Sequence, residues 1–327
     1  MAGSFSFASI DDERTARAAL TYVAPPEDAV TDHVLRVTGS GLSAIEMALR
    51  NDPIPGVGRS AALLWRRRFD VADLDRIADG FEQGRALGLH VLVPDDLDWP
   101  ESLGKLGARE PYALWVKGDT SLLGAPVLSR AALIGAYAPT DYGTEWALRT
   151  AAELTQDGYV VTATSGTGIA AEATRGALLE GGHPVVVVPR PLSFAGPDSA
   201  AVARQGLLVS ELPPHSPHSR EAGRASHRLL AAMSGVVTVV EAHERSTPVR
   251  TAEMARTLGR EVAAVPSDVT RLRRGTNALI AEGIATLITE AEDVEHLLEK
   301  HLATRLLLDV DRQAPARAFD HSSGLAR

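Results

Sequence analysis

The chain has 327 residues, of which 45% are hydrophobic and 23% charged, with a formal net charge of -9 and no cysteine. This composition is typical of a globular protein with a sizeable core, and the lack of cysteine excludes disulfides, thiolate zinc sites and a cysteine nucleophile. No apolar run is long enough to span a membrane and no signal-peptide pattern starts the chain, so we expect a cytoplasmic protein that makes no membrane contact.

Helical periodicity dominates the chain from residue 11 to about residue 88. The segments ERTARAAL, SAIEMALR and VADLDRIADGFEQGRALG carry it, and the breakers APPED and NDPIPGVGRS separate them. We therefore predict a small helical module over residues 1–90. The runs LHVLVP and YALWVKGD, which follow, are predicted strands.

From residue 131 onward, short apolar runs alternate with helical stretches. The runs are AALIGA, YVVTAT, PVVVV, GLLVSE, GVVTVVEA, REVAAVP and IATLIT. Continuous apolar runs of this kind are typical of strands that are buried on both faces of a parallel sheet. The pattern predicts an α/β fold, an extended Rossmann-like, doubly wound and mostly parallel sheet over residues 91–300. Residues 301–327 are predicted to be the end of a closing helix and a flexible tail.

A glycine-bearing turn stands between a predicted strand and a predicted helix in TATSGTGIAAEATRGALLEGG, residues 162–182. Gly166 and Gly168 lack side chains, so backbone N–H groups there can approach an anion at the start of a helix. The spacing is neither GxGxxG nor that of a P-loop, and small residues at such turns also serve packing. Both anion binding and packing stay open on this motif alone.

Arginine is concentrated in the second half of the chain. Residues 204–275 hold eleven arginines against seven acidic residues, although the whole chain is acidic. The cluster RLRRG, with Arg271, Arg273 and Arg274, follows a predicted strand and is therefore expected at the ligand-facing edge of the sheet. Phosphate contact and simple solvation are equally consistent with this cluster.

Six blocks in colinear order resemble motifs of the DNA processing protein A family, also called Smf. They are LIGAYAPTDYG, GIAAEATRGALLEGG, GLLVSELPPHSPH, SHRLLAAMS, VVEAHERSTPVRTA and GREVAAVPSDVTRLRRGTNALIAEGIA, within about residues 91–293. The resemblance implies an extended Rossmann fold in a non-enzymatic protein that binds and protects single-stranded DNA. It further implies a homodimer that helps load the recombinase RecA during DNA uptake or recombination.

The chain departs from the family pattern at several polar positions. Tyr137 stands in place of an arginine, Ala170 in place of an aspartate, Thr174 in place of a histidine and His227 in place of an asparagine. The scaffold residues of the motifs are better retained than the polar residues of the pocket. Tyr137 would supply base stacking where the family has a cation.

The resemblance and the arginine pattern together give a predicted set of DNA-binding residues. It comprises Gly135, Tyr137, Tyr142, Gly143, Gly166, Thr167, Gly168, Arg175, Arg228, Arg245, Ser246, Arg271, Arg273, Arg274 and Asn277. The alternative for the arginines is solvation or pairing with Glu211 and Glu241, and the alternative for Asn277 is to fix a turn through side-chain hydrogen bonds.

Two other function classes remain open at this point. SGTGIAAE has the spacing of the lonely-guy nucleoside monophosphate phosphoribohydrolases, with Glu172 at the position of their glutamate, although Glu172 is also suited to solvate a first helical turn. The altered pocket is equally consistent with a nucleotide-binding protein or a scaffold that no longer binds DNA. No residue pattern indicates a metal or a cofactor, and no catalytic residue is predicted.

Overall fold

The computed structural model describes residues 5–50, 52–194, 196, 199–217, 220–268 and 274–300, with the backbone alone at residues 220–222. Its strands form one nine-stranded sheet in the order β1-β2-β6-β5-β4-β3-β7-β8-β9. They are β1 (His90–Leu92), β2 (Leu114–Gly118), β3 (Arg130–Ile134), β4 (Val160–Thr164), β5 (Val185–Val187), β6 (Leu207–Ser210), β7 (Val236–Val239), β8 (Glu261–Ala264) and β9 (Thr286–Leu287).

The seven strands β3 to β9 are parallel to one another, whereas β2 pairs antiparallel with β6 and β1 pairs antiparallel with β2. The strands β3 to β9 are the seven apolar runs predicted from the sequence. Every residue of β3, β5, β6 and β7 is buried, as expected for strands with helices on both faces. The predicted α/β, doubly wound and mostly parallel sheet is confirmed.

Five helices precede the sheet, and most of them start at a side-chain cap. Asp12, Asp28, Ser40 and Asp73 each accept a hydrogen bond from a backbone N–H of the first turn, whereas Gly58 provides no such cap. The helices are α1 (Glu13–Val23), α2 (Ala29–Thr38), α3 (Gly41–Leu49), α4 (Arg59–Asp70) and α5 (Leu74–Ala86).

These five helices share an apolar core of their own. Leu20, Val34, Trp65 and Ile77 are almost fully buried in it. The helices also contact the sheet, since Trp115 Nε1 of β2 lies 3.3 Å from Thr21 Oγ1 of α1. The helical content of the N-terminal region is therefore as predicted, while its division from the rest at residue 90 stays a prediction.

The helices that follow cover the two faces of the sheet. They are α6 (Ser121–Gly124), α7 (Asp141–Gln156), α8 (Ile169–Leu179), α9 (Ser199–Gln205), α10 (Arg220–Met233), α11 (Thr247–Thr257) and α12 (Gly275–Ala281). Residues 291–300 are also helical, and Val294, Leu297 and Leu298 are buried against the sheet as the periodicity predicts. Among the described residues, no helix combines the length and apolar character needed to cross a bilayer.

The sheet changes direction of growth at β3. From β3 the chain adds β4, β5 and β6 on one side, and then β7, β8 and β9 on the other. In open α/β sheets, the crevice at the carboxyl ends of the strands beside such a switch point is where ligands bind. The topology therefore predicts that a ligand binds at the loops that follow β3, β4 and β7.

Candidate functional site

The loops that follow four neighbouring strands meet at one edge of the sheet, which we call the carboxyl edge. They are residues 188–190 after β5, 165–168 after β4, 135–140 after β3 and 240–246 after β7. Neighbouring strands are about 4.8 Å apart, so the distance from the end of β5 to the end of β7 is roughly 14 Å. Nine of the fifteen residues predicted from the sequence lie in these loops or in the first turn of the helices that follow them.

The glycine turn after β4 packs directly on the loop after β3. Gly168 has φ of +73°, and a Cβ at this position would lie 2.1 Å from the carbonyl oxygen of Ala136. Ile169 N donates to the same carbonyl at 3.1 Å, and Thr167 Oγ1 donates to the carbonyl of Tyr137 at 3.3 Å. Only glycine fits at position 168, because both the backbone conformation and the close approach exclude a side chain.

The backbone N–H groups of this turn are available to a ligand. Within the described residues, the N–H groups of Gly166, Thr167 and Gly168 donate no hydrogen bond, although the neighbouring Ser165 and Ile169 both donate. Gly166 and Thr167 are exposed, and α8 starts directly behind them. Unpaired amides at the start of a helix favour an anion.

Tyr137 and Tyr142 present aromatic surface beside this turn. Tyr137 is 65% exposed and Tyr142 is 56% exposed. A Cβ on Gly166 would lie 3.8 Å from Cε1 of Tyr137, so the ring lies next to the exposed amides. An exposed ring beside unpaired amides matches the pairing of base stacking with phosphate contact in proteins that bind single-stranded nucleic acid.

Glu241, which follows β7, binds the start of α7. Its carboxylate accepts hydrogen bonds from both the backbone N–H and the hydroxyl of Thr140, and Thr140 caps α7. Gly143 lies against this carboxylate, since a Cβ there would be 2.6 Å from Cδ of Glu241, and Gly135 lies as close to Ile169 and to the carbonyl of Glu241. Gly135 and Gly143 thus act through close packing that sets the shape of the carboxyl edge.

A cavity of about 260 Å³ opens next to Glu241. Thr140, Tyr142 and Glu241 line one side and residues 266–268 after β8 line the other. The cavity is smaller than most ligand pockets and is open to solvent. It extends the carboxyl edge toward β8 past the ring of Tyr142.

Arg245 and Ser246 lie where the loop after β7 enters α11. Arg245 is exposed and adopts the left-handed conformation, with φ of +59°. Ser246 is the first residue before the helix, and its Oγ is buried without a hydrogen-bond partner within the described residues. The structure thus places a cation and an unsatisfied hydroxyl together at the start of a helix.

The other residues predicted near the carboxyl edge differ in whether their side chains are available to contact a ligand. Arg175 on α8 is exposed but already binds Glu172, with Nη2 2.5 Å and Nε 2.9 Å from the same carboxylate oxygen. Arg274 is exposed at the start of α12. Asn277 uses both ends of its amide on the backbone of Ser267, as its turn-fixing alternative predicts. Arg271 and Arg273 lie outside the described residues.

Arg228 corrects the predicted site. Its side chain is 1% exposed, and its two Nη atoms each lie 2.5 Å from one carboxylate oxygen of Glu211. Its Nε donates to the carbonyl of Arg109 at 2.8 Å and lies 3.4 Å from the carboxylate of Glu27. The placement of Arg228 among the DNA-binding residues is therefore wrong: it is buried away from solvent, and the alternative of pairing with Glu211 is what the structure shows.

Sequence reasoning missed Arg190, which follows β5. Arg190 is exposed at the carboxyl edge, beside the strand that carries the glycine turn, and its carbonyl accepts a hydrogen bond from Ser210. The signal was present in the sequence, because PVVVVPR places an arginine immediately after a buried parallel strand. Arg190 lies outside the arginine-rich segment of residues 204–275.

The phosphoribohydrolase alternative gains no support from the position of Glu172. Glu172 lies in the first turn of α8 and accepts two hydrogen bonds from Arg175, which is the solvating role that the sequence also permits. Within the described residues, no group of three His, Asp or Glu side chains is suited to hold a metal ion.

Comparison with known proteins adds independent information. The family model described as DNA recombination-mediator protein A matches residues 90–299. The putative DNA processing protein DprA of Mycobacterium tuberculosis is 34% identical over 239 residues, 68% of this chain and 61% of the relative. Protein Smf of Escherichia coli is 31% identical over 214 residues, 63% of this chain and 56% of the relative. The chain thus spans about three fifths of the length of these curated relatives.

Solved structures show the same fold. DNA processing protein A from Streptococcus pneumoniae has a TM-score of 0.70 at 23% identity, with 85% of this chain and 96% of that chain covered. DNA processing protein A from Helicobacter pylori, described for its single-stranded DNA binding mode, has a TM-score of 0.58 at 26% identity, with 65% and 96% covered. The resemblance inferred from the six sequence blocks is confirmed.

Proposed function

Because the chain belongs to the DNA recombination-mediator protein A family, we propose that it binds single-stranded DNA along the carboxyl edge of its sheet. In this proposal it protects the strand during DNA uptake or recombination. Family membership favours such a mediator over an enzyme, and the single-stranded DNA binding described for the Helicobacter pylori relative supports the same ligand for this chain.

One observation carries the proposal: the exposed ring of Tyr137 lies beside three backbone N–H groups that have no hydrogen-bond partner among the described residues. Stacking on an aromatic ring tolerates every base, and free amides at the start of a helix bind phosphate oxygens. Together, base stacking and phosphate contact are the two contacts that a protein needs to bind one nucleotide of DNA independently of the base sequence. The arginine that the family has at position 137 is therefore replaced by a residue of different chemistry that still contacts nucleic acid.

Cations at both ends of this edge extend the contact along the strand. Arg190 follows β5 and Arg245 follows β7, so a DNA backbone that crosses the glycine turn runs between them. The overall charge of -9 opposes indiscriminate binding, and a few local arginines produce a weak, salt-dependent attraction. We therefore propose binding that depends on stacking more than on charge.

The test is a titration of fluorescein-labelled oligodeoxythymidylate by anisotropy, at about 50 and 200 mM NaCl, a range over which phosphate contacts weaken measurably. Tyr137→Ala is expected to weaken binding by about 1–3 kcal/mol, roughly 5- to 150-fold, while Tyr137→Phe keeps the ring and binds as the wild type does. Arg149→Ala on α7, which removes an exposed arginine outside the carboxyl edge, is the matched control. Equal binding by Tyr137→Ala and the wild type would contradict the proposal.

Homodimer formation and the loading of RecA are proposed on family membership alone. Light scattering coupled to gel filtration measures the first, and a pull-down of purified RecA with the full chain measures the second. A monomer over the micromolar range, or no RecA retained, would remove the corresponding part of the proposal without touching DNA binding.

A further inference from the structure

A second cavity lies at the opposite end of the parallel strands from the carboxyl edge. Arg130 is the first residue of β3 and Arg260 immediately precedes β8, so both mark the amino ends of their strands. The cavity has a volume of about 600 Å³, and its remaining walls are residues 97–105 and 123–128. A strand of five residues extends about 16 Å, so this cavity is separate from the proposed DNA contact.

Arg130 is a buried cation whose hydrogen bonds are incomplete. It is 1% exposed, its Nε donates to the carbonyl of Met233, and its Nη1 donates to the carbonyls of Leu122, Leu123 and Ala125. Within the described residues, its Nη2 has no hydrogen-bond partner and no carboxylate lies within ion-pair distance of its guanidinium. A buried cation without a counter-charge is costly, and an anion in the cavity would offset that cost.

Other polar groups in the cavity wall suit the same anion. Ser102 Oγ is buried without a hydrogen-bond partner in the described part of the chain, and Lys105, also in the wall, is exposed. Burial, and secondarily the positive charge of Arg260, lower the pKa of Arg130 to about 10. The wall therefore combines a guanidinium, an ammonium and a hydroxyl, which are donors that bind phosphate groups, with one exposed carboxylate, that of Glu101.

We propose that this cavity binds a small phosphate-bearing molecule. Its volume is within the range of pockets for small ligands, and Leu97, Trp99 and Leu123 provide apolar wall for the part of the ligand that carries no charge. Arg130 and Lys105 bind the phosphate and Ser102 donates its hydroxyl to it. The ligand class is a phosphomonoester of the size of a nucleoside monophosphate, at a site distinct from the carboxyl edge.

The experiment titrates the full chain with inorganic phosphate and, separately, with adenosine monophosphate, in isothermal calorimetry at fixed ionic strength. Saturable binding of either probe is expected. The double variant Ser102→Ala with Lys105→Ala should bind roughly tenfold more weakly or worse, because it loses a charge-assisted and a neutral hydrogen bond. Neither Ser102 nor Lys105 is among the hydrogen-bond partners of the buried Arg130, so the variant is expected to fold. Arg149→Ala is the control that removes one positive charge elsewhere.

Two further measurements distinguish probe binding in this cavity from probe binding at the glycine turn, which also offers hydrogen-bond donors to a phosphate. Tyr137→Ala should leave the affinity for inorganic phosphate unchanged, and saturable binding of adenosine monophosphate should persist in the presence of a saturating single-stranded oligonucleotide. The proposal is overturned by the absence of saturable binding, by wild-type affinity in the double variant, or by loss of all saturable binding of adenosine monophosphate in the presence of the oligonucleotide. Because the comparison of the double variant with the wild type does not require DNA to bind, the inference stands or falls separately from the proposed function.

Discussion

Arginines occupy two regions of this molecule in opposite ways. At the carboxyl edge, Arg190 and Arg245 are exposed at the ends of β5 and β7. In the second region, which we call the junction cluster and define as Glu27, Asp32, Tyr112, Glu211 and Arg228, the arginine of α10 is buried between Glu211, which follows β6, and Glu27, which precedes α2. Burial thus distinguishes an arginine that stabilises the fold from the exposed arginines that we propose to contact DNA.

The junction cluster also explains why two separate sequence blocks retain their polar residues. GLLVSELPP supplies Glu211 and SHRLLAAMS supplies Arg228, and the two side chains form a bidentate ion pair. Ser210 of the first block donates to the carbonyl of Arg190, which fixes the loop after β5. Retention of a charged residue in a family motif is therefore no evidence of ligand contact when its partner belongs to another retained motif.

The largest predicted effect comes from breaking the ion pair of the junction cluster. Arg228→Ala leaves the carboxylate of Glu211 buried without its partner, so the free energy of unfolding should fall by about 3–5 kcal/mol. Urea unfolding measures this loss, with Arg149→Ala, which removes an exposed arginine, as the control. The affinity of the folded variant for single-stranded DNA should stay within a factor of two of wild type. If Arg228→Ala is as stable as the wild type but does not bind DNA, then Arg228 contacts the ligand.

The next effect concerns Asp32, the third acidic residue of the junction cluster beside Glu27 and Glu211. Burial raises the pKa of Asp32 to about 7 despite the positive charge of Arg228, with a smaller contribution from Asp28. Between about pH 4 and 7 the folded chain therefore holds a proton that the unfolded chain lacks, so this carboxyl lowers stability as the pH rises. Asp32→Asn should raise the free energy of unfolding by roughly 1–4 kcal/mol at about pH 8 and leave it nearly unchanged at about pH 4.

The contribution of Asp32 to the pH dependence of stability must be measured as the difference in free energy of unfolding between Asp32→Asn and the wild type. Burial lowers the pKa of His227 to about 4, so the unfolded chain takes up a proton at that histidine before the folded chain does. Stability from His227 is lost as the pH falls below about 6.5, which is opposite in sign to the effect of Asp32. Urea unfolding of both chains over this range cancels the contribution of His227. A difference that does not depend on pH would contradict the assignment to Asp32.

A third effect tests the carboxyl edge through its packing. Gly168→Ala introduces a Cβ that meets the carbonyl of Ala136 and strains a backbone at φ of +73°, so a stability loss of about 1–3 kcal/mol is expected. DNA affinity should fall as well, because the shift displaces Tyr137 and the free amides together. Gly158→Ala is the matched control, since Gly158 also has a positive φ, of +86°, but no atom of the described residues lies within 4 Å of its added Cβ. If both variants bind DNA with equal affinity, the glycine turn does not contact the ligand.

The contrast between the two regions also shows what the sequence reveals and what it hides. The sheet could be predicted because buried parallel strands are continuous apolar runs, and all seven such runs form strands. The glycine turn and Tyr137 could be located because they follow a strand at a switch point. Pairing with Glu211 was one of the alternatives for Arg228, but its burial could not be predicted, since it depends on contacts with Glu211, seventeen positions away in sequence, and with Glu27 from the N-terminal region. Long-range pairing leaves no local pattern.

The smallest predicted effect belongs to Arg245, the exposed counterpart of Arg228. One arginine that neutralises one phosphate of a single strand releases its counterions, so Arg245→Ala should make the slope of log affinity against log salt less negative by about 0.7. The affinity loss at physiological salt should be below about 1 kcal/mol, and stability should not change, because the exposed side chain of Arg245 pairs with no carboxylate in the part of the chain that the structure describes. Anisotropy titrations across a salt series measure the slope, with Arg149→Ala as the charge-matched control. If the two variants give the same slope, Arg245 does not contact phosphate, and the carboxyl edge binds through Tyr137 and the backbone amides alone.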